Sequence, residues 1–397
     1  MTLESDCRHC EENMKLLHTA DWHLGKKLEG RDRLEEQKQV MRELCELAER
    51  HDVDLVLAAG DIFDVYTPGA AAEELFYDSV LALSAGGRRA VVVVAGNHDD
   101  PQRLCAARDL AKRHNIFISG GCRDLFELPE RNFAVRAVEA APGALVFEKD
   151  GERAAVALLP YPSDDRSFAV AEKELSYDEK VQRWLNTELF GPESLNLALG
   201  HLFLAGSKAE SGQREIEAGG AKAVSAGTFS ACHYAALGHI HRRQHAKNAY
   251  YPGSIMPYHF DEDNDKGVYL LEGGKNGIEA QTFLPLTAYR PLVRLSAESV
   301  EQAHALLAEN AGSYAELTLK LPRPLTFAEN KALRQSYPDL ITLRLVTESS
   351  EAGGVFTSRK KLTPRELFEA FYEQRYSHPP EGELTEEFLR LLEEESL

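Results

Sequence analysis

The chain has 397 residues, 43% hydrophobic and 27% charged, which is a length for two or three domains and an ordinary globular composition. No apolar run is long enough to cross a bilayer and no charged-then-apolar leader opens the chain, so the cytoplasm is the expected compartment. The formal net charge of −19 argues against gripping nucleic acid by overall electrostatics; any such binding has to be local, cation-assisted or supplied by a partner.

In chain order, residues 1–13 are a polar tail, read as a disordered extension. It holds Cys7 and Cys10 as C-x-x-C around His9, with no second pair to complete a structural zinc site. Cys45, Cys105, Cys122 and Cys232 are scattered. Residues 15–20 read as a strand ending in Asp21-Trp22-His23. Residues two apart in an extended segment share a face, so Asp21 and His23 converge. Residues 31–52 place Leu34, Met41, Leu44 and Leu47 at helical spacing, a helix for packing on a sheet and nothing more.

Residues 53–59 form a second strand, ending in Gly60-Asp61-Ile62-Phe63-Asp64, and a helix over 70–84 follows. Residues 91–99 read V-V-V-V-A-G-N-H-D. Consecutive valines without polar alternation indicate a strand covered on both faces, and Gly96 is read as the tight turn at its end. A helix over 101–113 completes a run of parallel α/β units.

Short strands then follow at 133–138, 144–147 and 154–159, suited to a second sheet packed on the first. Residues 195–199 lead into Gly200-His201, and residues 234–237 into Gly238-His239-Ile240-His241. A hairpin over 267–272 and 278–283 closes this part. From Pro285 the pattern restarts as strand, helix, strand, helix, strand to about Val346. A basic, glycine-containing linker and two short amphipathic helices, from Thr363 and Thr385, end the chain. Those helices have little of their own to pack on, which leaves docking on the main body or capture by another protein.

The fold class is therefore α/β: two packed mixed sheets flanked by helices, a small α+β unit and a C-terminal helical pair. The expected boundaries are 1–13, 14–284, 285–348, 349–362 and 363–397.

Five strand ends carry the same kind of side chain: Asp21 with His23, Asp61, Asn97 with His98, His201, and His239 with His241. His18, His51, His114 and His245 fall outside this register and are read as incidental. Two divalent ions share such a set, one with Asp21, His23 and His241, the other with Asn97, His201 and His239, and Asp61 bridging. Mixed oxygen and imidazole ligands suit manganese, iron or zinc. A pair of ions roughly 3.5–4 Å apart clamps a phosphoryl group. His98 is kept out of the ligand set as the acid for the leaving oxygen, with Asp99 expected to hold its other ring nitrogen.

The ordered set D-x-H, G-D-x-x-D, G-N-H-D, G-H and G-H-x-H resembles the calcineurin-like metallophosphoesterase superfamily. H-T-A-D-W-H-L-G-K at 18–26, G-D-I-F-D at 60–64, G-H-L-F-L-A-G at 200–206, R-E-I-E-A-G-G at 214–220, A-L-G-H-I-H-R at 236–242 and Y-P-G-S at 251–254 narrow it to the SbcD family of bacterial nucleases. That resemblance implies the metal ligands above, with His98 as the catalytic histidine. It implies two ions, most often manganese, and 3′-to-5′ exonuclease activity on duplex ends with endonuclease activity on hairpins and single strands. It also implies work with the SbcC coiled-coil ATPase in DNA end processing, recombination and repair, as a homodimer within a heterotetramer at the nucleoid. The unit at 285–348 would be a capping domain that positions DNA, and 363–397 the ATPase-binding segment. Some relatives carry a histidine where this chain has Asp64; the bacterial form has aspartate. Two alternatives remain: another metallophosphoesterase acting on nucleotides, phosphoproteins or small phosphodiesters, and a scaffold with a vestigial site.

Overall fold

The structure, a computed structural model, describes residues 13–162, 175–208, 223–347, 365, 368–369, 372, 380 and 382–394. The expected tail with its C-x-x-C, the Arg214–Gly220 motif, the linker and most of the first terminal helix lie outside the described residues.

The first sheet has β1 (Met14–Thr19), β2 (Leu55–Ala59), β3 (Ala90–Val94) and β4 (Ile116–Ser119) side by side and parallel. A hairpin of β12 (Gly267–Gly274) and β13 (Gly277–Pro285) continues it antiparallel beside β1. The second sheet takes β5 (Arg136–Ala141), β6 (Ala144–Lys149), β7 (Glu152–Leu159), β8 (Leu195–His201), β9 (Tyr234–Gly238), β10 (Gln244–Ala246) and β11 (Ala249–Tyr251), in the order 10-11-9-8-7-6-5. Within it β7, β8 and β9 are parallel. β5 starts at Arg136, past the expected start at Phe133, because the Pro142-Gly143 turn sets its pairing, with Ala141 opposite Ala144.

The two sheets pack face to face. Val92 and Val94 point into the layer between them with Leu57, Phe147, Val156 and Leu199. Val91 and Val93 point the other way, against α1 (Leu34–Arg50) and α2 (Ala70–Ser84), among Met41, Leu44, Phe76 and Val80. This accounts for the unbroken valine run, since both faces of β3 are dry. A third cluster, including Val181 and Trp184 of α5 (Tyr177–Trp184), covers the outer face of the second sheet. After β3 the expected single helix is two short ones, α3 (Pro101–Leu104) and α4 (Arg108–Ala111), with Asp100 capping the first through Gln102 N and Arg103 N.

The small unit is β14 (Leu292–Ala297), α6 (Val300–Glu309), β15 (Tyr314–Leu321), α7 (Phe327–Ser336) and β16 (Leu340–Thr347), with its strands all parallel. Serine and threonine N-caps open both helices. It joins the main body through α1. Glu36 accepts hydrogen bonds from Arg33 and from the Arg290 amide, and Arg31 pairs with Asp339 at 2.8 Å. The guanidinium groups of Arg31, Arg33 and Arg290 all stand over the Tyr314 ring. At the C-terminus, α8 (Gly382–Glu394) is described, and Phe368 of the preceding helical residues stacks on Phe388 at 4.2 Å. Among the described residues no helix is long and apolar enough to cross a membrane.

Candidate metal centre

The carboxyl ends of β1, β2 and β3 in one sheet and of β8 and β9 in the other open on the same rim, and the turns beyond them carry the site. The turns after β1 and β2 are zipped together: Asp21 N donates to Gly60 O at 3.1 Å, and His23 N to Asp61 O at 2.9 Å. Asp21, His23, Asp61 and His239 have φ of +52°, +43°, +48° and +106°, a region where residues other than glycine are uncommon. Such backbones are held only where surrounding structure over-determines them, and they gather at functional sites.

Glycine is required here for space. Gly96 is not in the left-handed region, so the expected tight-turn explanation gives way to close approach. A Cβ on it would stand 2.8 Å from Asp61 Cα and nearer still to Asp61 N and Oδ1. A Cβ on Gly238 would run into the Ala59 carbonyl, 2.9 Å from its carbon.

The seven side chains read as ligands converge, and all but half-buried Asn97 are buried. Ligand atoms of Asp21, His23 and His241 lie within 4.8 Å of one another, and so do those of Asp61, His201 and His239. Asn97 Oδ1 joins the second group, 3.0 Å from His201 Nε2 and 2.9 Å from His239 Nδ1. Asp61 Oδ2 lies between the groups, 3.5 Å from His23 Nε2 and 3.4 Å from His201 Nε2.

The donor set fits divalent cations on observations of its own. Asp21 Oδ2 is a buried polar atom without a hydrogen-bond partner, and His23 Nδ1 turns to Asp64 Oδ1 at 3.6 Å, which leaves Nε2 facing the set. His23 Nε2 and His241 Nε2 face each other at 3.0 Å, a pair of ring nitrogens that needs a shared proton or a cation. The outer nitrogens are already committed: His201 Nδ1 donates to Ala59 O at 2.8 Å, and His241 Nδ1 lies 2.9 Å from Glu262 Oε1. That orientation turns each Nε2 inward, as oriented metal-binding histidines require.

Electrostatics agree. Burial pushes the Asp21 carboxyl up to about 7 against the pull of His201. In Asp61 burial acts upward too, but His201 and His23 outweigh it and hold the group well below the usual carboxylate range. Burial drives His23 down to about 3. His201 resists burial because Asp61 and then Asp21 hold it up at about 9. Two buried carboxylates drawing on one imidazole call for positive charge between them, which a bound cation would supply.

His98, half-buried at the rim, stands beside this set with its ring centroid 4.9 Å from that of His23. Its Nδ1 donates to the Asp64 carbonyl oxygen at 2.8 Å and its backbone N to Asp61 Oδ1 at 2.9 Å. The expectation that Asp99 holds the His98 ring is corrected by this geometry. Asp99 is fully buried and accepts from the amides of Gly96 (2.8 Å), Ile62 (3.1 Å) and Phe63 (2.9 Å). It staples the turn after β3 to the turn after β2; consecutive residues in a turn face different ways, which adjacency in sequence conceals.

The Asp64 carboxylate pairs with Lys26 at 2.7 Å. Gln37 belongs to the site although it lies on the helix given no role beyond packing. Its Nε2 donates to His23 O at 2.8 Å and its Oε1 accepts from Gly25 N at 2.8 Å, clamping the D-x-H turn. A glutamine at a core-facing position of an amphipathic helix is the one signal of this in the sequence. His18, read as incidental, is buried away from this set, bonded to Tyr234 and to Leu237 O.

Comparison with known proteins gives the family. The family model described as calcineurin-like phosphoesterase matches residues 14–243. A second, described as the Type 5 capsule protein repressor C-terminal domain, matches residues 288–376. The SbcD subunit of the SbcCD nuclease of Bacillus subtilis is 35% identical across 95% of this chain and 97% of its own length. Its counterpart in Staphylococcus epidermidis is 26% identical across 90% and 92%. Among solved structures, a dimetal phosphatase from Danio rerio gives a TM-score of 0.36 at 13% identity, over 70% of this chain and 100% of that one, too distant to carry an argument. With the phosphoesterase match over more than half its length and a full-length relative of this kind, the chain belongs to the calcineurin-like phosphoesterases, metal-dependent phosphoester hydrolases, and within them to the SbcD family.

Proposed function

We propose that this chain is the nuclease component of a DNA end-processing complex, hydrolysing duplex ends 3′ to 5′ and cutting hairpins and single strands. The observation that carries this reading is the extent of the relationship: the SbcD nuclease of Bacillus subtilis matches 95% of the chain, the small C-terminal unit included, as well as the phosphoesterase part. By the same reading residues 14–284 cut, 285–348 position the DNA, 349–362 link, and 363–397 bind an SbcC-type coiled-coil ATPase, in a two-fold assembly at the nucleoid.

Asp21, His23 and His241 would hold one ion and Asn97, His201 and His239 the other, with Asp61 between them; manganese is the choice the relatives' family suggests. Bound there, two divalent ions would activate water and neutralise charge on the phosphoryl group. Two ligand carboxylates offset four such charges only in part, so the centre stays positive within an acidic chain and attracts a phosphodiester. His98, fixed through Nδ1 on the Asp64 carbonyl, would give its Nε2 proton to the leaving oxygen as the P–O bond breaks.

The test is the full-length protein with Mn²⁺ on end-labelled duplex and hairpin DNA, with and without the ATPase partner. Cleavage of both substrates is expected. Turnover of a small phosphodiester with no DNA cleavage in either condition would refute the nuclease reading in favour of a different phosphoesterase.

A further inference from the structure

The segment between β11 and β12 contains a buried ion pair that the ligand set does not explain. Glu262 and Lys266 have side chains 0% and 2% exposed and meet at 2.7 Å. Glu262 Oε1 faces His241 Nδ1 at 2.9 Å. Lys266 Nζ donates to the His241 carbonyl oxygen at 2.8 Å and to Ser254 Oγ at 2.9 Å, and Ser254 N donates to the same carbonyl at 3.2 Å. Gly253 allows this approach, since with φ +87° it stands where a Cβ would be 2.5 Å from His241 O. This one cluster therefore holds both the backbone and the outer ring nitrogen of His241.

A buried ion pair is a poor way to gain stability. Desolvating two charges offsets most of their attraction, and an apolar pair of similar volume often serves as well. What such a pair supplies is geometry. A carboxylate can only accept, so the His241 ring must present Nδ1–H to Glu262 and its Nε2 lone pair to His23 and Asp21.

We propose that Glu262 and Lys266 are positioning residues for His241: the carboxylate selects the ring nitrogen offered to the metal, and the ammonium fixes that carboxylate and the His241 backbone together. The inference rests on reading His241 as a metal ligand. Oriented ligands of this kind lose about 10–100-fold in metal affinity when the group behind them is removed.

The test is calorimetric titration of Mn²⁺ alone into metal-stripped full-length protein, with thermal unfolding followed in parallel. Glu262→Gln places an amide against either the Lys266 ammonium or His241 Nδ1, and should weaken one of two Mn²⁺ sites by about 10–100-fold while sparing the other. Lys266→Met strands a buried carboxylate and should lower the melting temperature. The double variant Glu262→Leu/Lys266→Met removes both charges and leaves His241 Nδ1 without an acceptor, so its melting temperature should recover toward wild type while the weakened site stays weak. A merely structural pair would regain affinity together with stability, and that result overturns the proposal. Two unchanged sites in Glu262→Gln also overturn it. Wild type taking up no Mn²⁺ would overturn the metal reading itself, and this inference with it.

Discussion

Replacing Gly96 by alanine adds one methyl group where two strand-end turns touch. The new Cβ would stand 2.8 Å from Asp61 Cα and closer to Asp61 N and Oδ1, in a place sealed by Asp99, whose carboxylate binds both turns. Ordinary carbon contacts are about 3.5–4.0 Å, so the turns must part by about 1 Å. Overpacking of that kind destabilises by about 1–3 kcal/mol. Its larger effect is on chemistry, because Asp61 lies between both ligand groups and a 1 Å misplacement lowers a positioned reaction by about 100-fold. The assay is hydrolysis of a small phosphodiester with Mn²⁺, beside a thermal melt and Mn²⁺ titration. The expected result is a modest drop in melting temperature with a disproportionate loss of turnover. Wild-type turnover in a folded Gly96→Ala protein would refute the claim that the Gly96–Asp61 approach sets the site.

Other expectations follow from the same geometry. His98→Ala should abolish DNA cleavage while calorimetry still finds two Mn²⁺ sites; loss of an ion would make His98 a ligand instead. His18 is fully buried and burial holds it down to about 3, so its folded value lies below its unfolded one. The stability this protects is complete above about pH 6.5 and lost as pH falls toward 3, about 2 kcal/mol between pH 7 and pH 5. Urea unfolding at those two pH values should show His18→Gln losing less than wild type; equal losses would contradict the assignment. Deleting residues 363–397 should remove binding to an SbcC-type ATPase and spare hydrolysis of small phosphodiesters, and retained binding would place the partner surface elsewhere.

Much of this site is legible in the chain because its chemistry sits beside strong local signals. Asp21, Asp61, Asn97, His201 and His239 each lie within a few residues of an apolar strand, and parallel strands bring their carboxyl ends to one side of a sheet. The valine run likewise specifies a strand dry on both faces from composition alone. What the local pattern could not carry is any relation between residues far apart in sequence or facing different ways in a turn. His23 meets His241 across 218 positions, and the pairing of His241 with Glu262 depends on how the chain returns after β11. Gln37 reads as one polar residue on an amphipathic helix until that helix is laid against the D-x-H turn. Asp99 reads as the neighbour of His98 until the turn directs it to the amides of residues 62 and 63. Strand ends and residue types follow from short-range periodicity, so the sequence by itself determined the candidate ligands and the layer architecture. Which groups orient those ligands is decided by side-chain direction and close packing between distant segments, and those exist only once the two sheets have closed on each other.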